Sequence, residues 1–162
     1  MMKKLITLLS IFLITGNVLA QGLGNAKTTQ SLQFPTTKTI PDDKARIYIL
    51  RTTGTLSNYS VTIYMDDKII GKIGPKSYLL FDCDINKEIT IATAFIGNNV
   101  RNKSEENQEF ITINPKSGRT YYIGVKAKFG TFRGQTEITP LESNEAIKLI
   151  PKFEKPKVNY IE

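Results

Sequence analysis

Between Ser60 and Phe95 the chain reads SVTIYMDDKIIGKIGPKSYLLFDCDINKEITIATAF, and apolar residues recur in it at every second position. Val61, Ile63 and Met65 form one such run, Ile69 and Ile73 a second, and Leu79, Phe81 and Cys83 a third. A period of two puts alternate side chains on one face of an extended backbone, so each run is a half-buried strand rather than a helix. Asp66-Asp67 separates the first two runs and Gly74-Pro75-Lys76-Ser77 the next two. These are turn-forming residues, and the expected result is a meander on which the rest of the domain packs.

The flanking sequence continues the strand pattern. Ala45-Arg46-Ile47-Tyr48-Ile49-Leu50-Arg51 is bulky at successive positions and is expected to be a first strand internal to its sheet. Thr52 to Tyr59, with Gly54, is a polar loop, and Gly97 to Asn107 is a long exposed connection. Glu109 to Asn114 is a further strand, closed by Asn114-Pro115-Lys116-Ser117-Gly118. The cleanest alternation follows, with Tyr121, Ile123, Val125, Ala127 and Phe129 on one face and Thr120, Tyr122, Gly124, Lys126 and Lys128 on the other. Phe132 to Leu141 is a last strand carrying Ile138, and Pro140 marks an edge or a terminus. Ser143 to Ile150 is a short helix capped by Ser143 with Glu145 in its first turn, or else one more strand, and Pro151 stops either. Seven or eight short strands with almost no helix describe an all-β, antiparallel β-sandwich, with an open barrel as the alternative.

The N-terminus has a different logic. Lys3 and Lys4 precede an apolar run from Leu5 to Ile14 and then small residues, including Val18 and Ala20. This is the layout of a secretory signal peptide over residues 1–20, expected to be cleaved between Ala20 and Gln21. The apolar run is shorter than a bilayer span, so no transmembrane segment is expected after cleavage. Residues 21–44 are rich in Thr, Gln, Lys, Gly and Asn and lack periodicity, which reads as a flexible lead-in to a domain at 45–150. Residues 151–162 form a polar tail. Loss of Lys3 and Lys4 lowers the net charge from +7 to +5, a modestly basic balance that does not demand an anionic partner. Cys83 is the only cysteine, so no intramolecular disulfide forms. Its place beside Leu79 and Phe81 makes it a small core residue rather than a nucleophile.

The segments ARIYILR, VTIYMDDKIIGKI, SYLLFD with ITIAT, and SGRTYYIGVKAKFGTF leading into ITPLES resemble a group of bacterial envelope proteins known as domain of unknown function 2846. The likeness runs from Ala45 to about Ile150 and lies in strand layout, with no catalytic signature. It implies export, often as a lipoprotein, and a small sandwich of the immunoglobulin or transthyretin kind. Two features depart from the group. No cysteine lies near the cleavage point to be acylated, and Ile85-Asn86-Lys87-Glu88 replaces the usual Pro-Gly-Lys-His turn.

Little in the sequence supports a reaction. The chain has no histidine, which removes the usual triads, the commonest general base and nearly all catalytic zinc sites. No phosphate-binding loop or dinucleotide fingerprint occurs. No catalytic set, cofactor or resident metal is therefore expected. Asp82 and Asp84 project from one strand face near the Asp66-Asp67 turn, and a cation or acid pair there is the only metal or hydrolase candidate. Lys126, Lys128 and Arg133 beside Tyr122 form a candidate surface for acidic glycan or anionic lipid, and nucleic acid is not expected of an exported chain. Tyr48, Tyr59, Tyr64 and Tyr78 are further aromatic contacts in a chain without tryptophan. The preferred expectation is a non-catalytic envelope module that contacts an envelope protein or a cell-wall component.

Overall fold

A computed structural model describes residues 27–28, 32, 34–35, 37–56, 58–95, 109–130 and 134–153. The expected signal peptide, its cleavage point, the connection after Phe95 and residue Arg133 lie outside the described residues.

The strands are β1 (Lys27–Thr28), β2 (Lys44–Arg51), β3 (Val61–Met65), β4 (Lys68–Ile73), β5 (Tyr78–Asp84), β6 (Ile89–Phe95), β7 (Glu109–Ile113), β8 (Thr120–Phe129) and β9 (Gly134–Pro140). One helix, α1 (Ser143–Leu149), runs into a 3-10 turn at Ile150–Lys152. The strands form a five-stranded sheet in the order β1-β4-β3-β6-β7 and a four-stranded sheet in the order β5-β2-β8-β9. The result is an all-β sandwich, and no closed barrel forms among the described residues.

The core lies between the sheets and is filled by the alternating positions. Ala45, Ile47 and Ile49 of β2 meet Val61 and Ile63 of β3, Leu79, Phe81 and Cys83 of β5, Ile89 and Ile91 of β6, and Ile123, Val125 and Ala127 of β8. Each buried aliphatic or aromatic side chain of this kind contributes about 1.5–3 kcal/mol. Two buried threonines join the sheets, Thr93 Oγ1 donating to Thr136 Oγ1 at 2.8 Å. The Ile138 amide donates to the Glu109 carboxylate at 3.2 Å, so the edge strand β9 is held to β7 of the other sheet.

Several local expectations change on contact with the tertiary structure. Asp66 and Asp67 both have positive φ, as a type I′ hairpin turn requires, and β3 and β4 pair across it. The Gly74–Ser77 turn does not continue the meander. It sends β5 to the other sheet, where it pairs antiparallel with β2. Period two specifies a buried face but not which neighbour supplies the hydrogen bonds. One pair is parallel, β2 with β8, strands separated in sequence by β3 to β7.

Ile69 is exposed and Ile70 is buried, the reverse of the expected face. A register shift between Ile63 and Tyr64 opposes Ile63 to Gly71 and Tyr64 to Ile69, leaving Ile70 as an extra residue turned into the core. Phe129 is also solvent-exposed, at the far end of β8. Glu142, not Ser143, occupies the helix N-cap, in an extended conformation and without a side-chain cap bond. The nominal lead-in is partly built into the fold, since β1 pairs with β4, Leu32 is 7% exposed in the core and Phe34 packs on it.

Burial of Cys83 pushes its thiol up to about 11, with the neighbouring Asp84 charge adding to the effect. Protonated thiol is thus favoured by folding. Its contribution is complete below the unfolded value and is lost as pH rises from about 9 towards about 11. An aromatic disulfide reagent at neutral pH is expected to label Cys83 only at the rate of unfolding, with a large acceleration in denaturant. Immediate stoichiometric labelling of the native protein would contradict this burial.

Candidate functional site

The face of the four-stranded sheet turned away from the core is set by the even positions of β2, β5 and β8. Register brings Tyr48 opposite Leu80 on one side and Tyr122 on the other, with Tyr78 one pair further along, opposite Leu50. The three phenol rings therefore lie in a row across three strands. Tyr48 and Tyr122 stack with centroids 5.3 Å apart at 30°, and Tyr48 and Tyr78 are tilted at 5.9 Å and 34°. Offset pairs at these distances are worth about 0.5–1.5 kcal/mol beyond their burial. Tyr78 is buried, whereas Tyr48 and Tyr122 keep part of their surface in solvent. Burial is the main reason the Tyr78 and Tyr122 phenols are raised above the ordinary range, with the Tyr48 phenol adding to it.

Charged pairs flank the row. Arg46 grips Asp82 through two hydrogen bonds, Nε to Oδ1 at 2.8 Å and Nη2 to Oδ2 at 3.0 Å, and donates to the Lys38 carbonyl at 2.9 Å. Lys44 pairs with Asp84 on the same face. Lys126 and Lys128 both pair with Glu137 of β9, the former at 3.1 Å. Four cations thus face three carboxylates, and the face is close to neutral.

The candidates named from sequence fall out accordingly. Tyr122 sits in the aromatic row, and Lys126 and Lys128 share its face but are held by one glutamate. Asp82 and Asp84 do project from one face, as expected, yet each is taken by a cation of the neighbouring strand. The Asp66-Asp67 turn belongs to the other sheet, where Asp66 accepts from the Thr90 amide and pairs with Lys87, contacts that hold its carboxyl below the usual range. Among the described residues no three His, Cys, Asp or Glu side chains gather as metal ligands. No described helix is long and apolar enough to cross a membrane.

The expected short helix creates a cleft through its tertiary packing. Helix α1 and the 3-10 turn lie against the end of this face, with Ala146 fully buried. Leu141 makes the approach, packing onto Gly124, where an added Cβ would stand 3.0–3.3 Å from the leucine side chain. Between this helical segment and the loops at Thr52–Thr53 and Pro75–Lys76 lies a cleft of about 460 Å³.

No protein-family model, curated protein or solved structure matches the chain.

Proposed function

We propose that this chain is an exported, non-catalytic binding module of a bacterial cell envelope, and that the tyrosine face of its four-stranded sheet contacts a protein partner. The stacked, partly exposed rings of Tyr48 and Tyr122 carry this reading, braced by the buried Tyr78 and the Arg46–Asp82 pair. Tyrosine is among the residue types that dominate protein interface energetics, because it offers large rigid contact area with a polar tip. Export rests on the leader-like residues 1–20 and on the resemblance to the envelope family described above.

The alternative, attraction to acidic glycan or anionic lipid, draws on Tyr122, Lys126, Lys128 and Arg133. Sharing of Glu137 by Lys126 and Lys128 weakens it, since paired surface charges attract a polyanion little at cellular salt. A hydrolase built on Asp82 and Asp84 has the least support, because both carboxylates are engaged.

The test uses the chain from Gln21 to Glu162 as bait for detergent-solubilised envelopes, with Tyr48→Ala/Tyr122→Ala as control. A protein partner retained in high salt by the parent is expected to be lost by the variant, each tyrosine being worth about 2 kcal/mol, roughly thirtyfold in affinity. Equal retention by the folded variant would overturn the assignment of this face. Recovery of anionic polymer or lipid alone, released by salt, would favour the alternative. Intact mass of the native protein beginning at Gln21 is the expected sign of export, and a mass that retains the leader would refute it.

A further inference from the structure

We propose that the cleft beside α1 is a binding site for a monomeric acidic amphiphile, a phosphate or carboxylate headgroup carrying a short apolar chain. Its volume of about 460 Å³ falls in the roughly 300–1,000 Å³ range of small-molecule sites. Three lysines line it, Lys76 from the β4–β5 turn, Lys126 from β8 and Lys152 from the 3-10 turn, against a single carboxylate, Glu145. Lys126 is shared with Glu137, but among the described residues Lys76 and Lys152 have no ion-pair partner.

Arg51 adds a cation to the lining. It is 2% exposed and its guanidinium donates only to main-chain carbonyls, to Thr52 at 2.7 Å, Leu56 at 2.9 Å and Val125 at 3.5 Å. Its Nε has no acceptor. A buried charge without a carboxylate is poorly screened, so its field reinforces that of the rim lysines. The remaining lining includes Pro75, Leu149 and Phe153, which are apolar and suit a hydrocarbon chain rather than a bare ion.

Lys76 is held at φ 51°, a left-handed conformation that glycine adopts without strain. The lysine side chain is therefore placed at the rim against a backbone preference. This site is independent of the tyrosine row and of export, because it is tested on purified protein with a soluble probe.

The test is titration calorimetry of the full chain with decyl phosphate below its micellar concentration, alongside inorganic phosphate and the neutral amphiphile decyl maltoside. Saturable binding of one decyl phosphate per chain is expected, with both controls at least about tenfold weaker. Lys76→Gly is expected to bind decyl phosphate about fivefold more weakly and to melt no lower than the parent, since glycine relieves the turn. Equal binding of the neutral amphiphile would reduce the site to apolar adhesion. Equal binding of inorganic phosphate would reduce it to an adventitious ion only. Unchanged affinity in Lys76→Gly, or retention on anionic vesicles without binding of the monomer, would also overturn the proposal.

Discussion

Gly54→Ala is expected to remove about 3 kcal/mol of stability and lower the melting temperature by roughly 10 °C. The loop after β2 is not free. Its Thr52 amide donates to the Val125 carbonyl at 3.0 Å and its Leu56 amide to the Ala127 carbonyl at 3.1 Å, so it extends the sheet along β8 beyond the end of β2. Arg51 clamps it from below through the Thr52 and Leu56 carbonyls, and Leu56 is buried in the core. Gly54 lies between the two stitches. A Cβ there would fall inside van der Waals contact of the Ala127 carbonyl oxygen, with Ala127 N at 3.1 Å and C at 3.2 Å. These are backbone atoms of a central strand and cannot rotate aside. Accommodation therefore requires the loop to lift, which breaks both stitches and weakens the Arg51 clamp. Arg51→Lys attacks the same unit by removing the forked guanidinium, and the two changes together should cost less than their sum. Gly118→Ala is the control, because Gly118 has φ 64° but open space around its Cα, and only about 1 kcal/mol is expected. Melting curves decide between them. A Gly54→Ala protein as stable as the parent would mean that the loop does not rest on β8 in solution.

Much of this fold was legible because burial of one strand face imposes a local period. The positions of β3, β5 and β8 follow from it, as do the core positions Val61, Phe81 and Ile123, whereas β2 is marked by an unbroken bulky run. The Asp66-Asp67 turn was legible for a related reason, that two consecutive residues with positive φ select a few side chains. Non-local pairing was not legible. Nothing in the run Tyr78 to Asp84 tells β5 to leave β4 and join β2, since either neighbour satisfies the same alternation. The bulge at Ile70 is equally silent, because Ile69-Ile70 offers two isoleucines to one core site and only the register with β3 chooses between them.

The candidate site inherits this division. Tyr122 stands on the polar face of a clean alternation, so its outward face could be read, whereas Tyr48 lies in a run that is bulky on both faces. Their contact depends on the parallel pairing of β2 with β8, two strands far apart in sequence that become neighbours in the four-stranded sheet. The same long-range register turned Asp82 from a metal candidate into the partner of Arg46, and Lys126 and Lys128 from a basic stripe into a shared pair with Glu137. Charges counted along one strand overstate the field of a face, because the neighbouring strand supplies the opposite sign.

Removing the lead-in is expected to cost about as much as a core truncation. A chain starting at Thr37 instead of Gln21 should lose about 4 kcal/mol, a large share of the roughly 5–15 kcal/mol that holds a domain of this size. Composition places residues 21–44 outside the domain, since they lack periodicity and are rich in polar residues. Packing places part of them inside it. Leu32 is a member of the core at 7% exposure, and its loss alone should account for about 2–3 kcal/mol. Phe34 packs against the same core, and β1 pairs Lys27 with Lys72 and Thr28 with Gly71 on the outer edge of β4. Single apolar residues in a polar segment give no periodic signal, yet one such residue fills a site as well as a strand residue does. Leu32→Ala in the chain beginning at Gln21 is the companion measurement, expected to fall about half as far as the truncation. Uncovering β4 also exposes backbone donors and acceptors, so the shortened chain should self-associate more readily at equal concentration. Identical melting of the short and full chains would return the lead-in to the role of a tether and remove Leu32 from the core in solution.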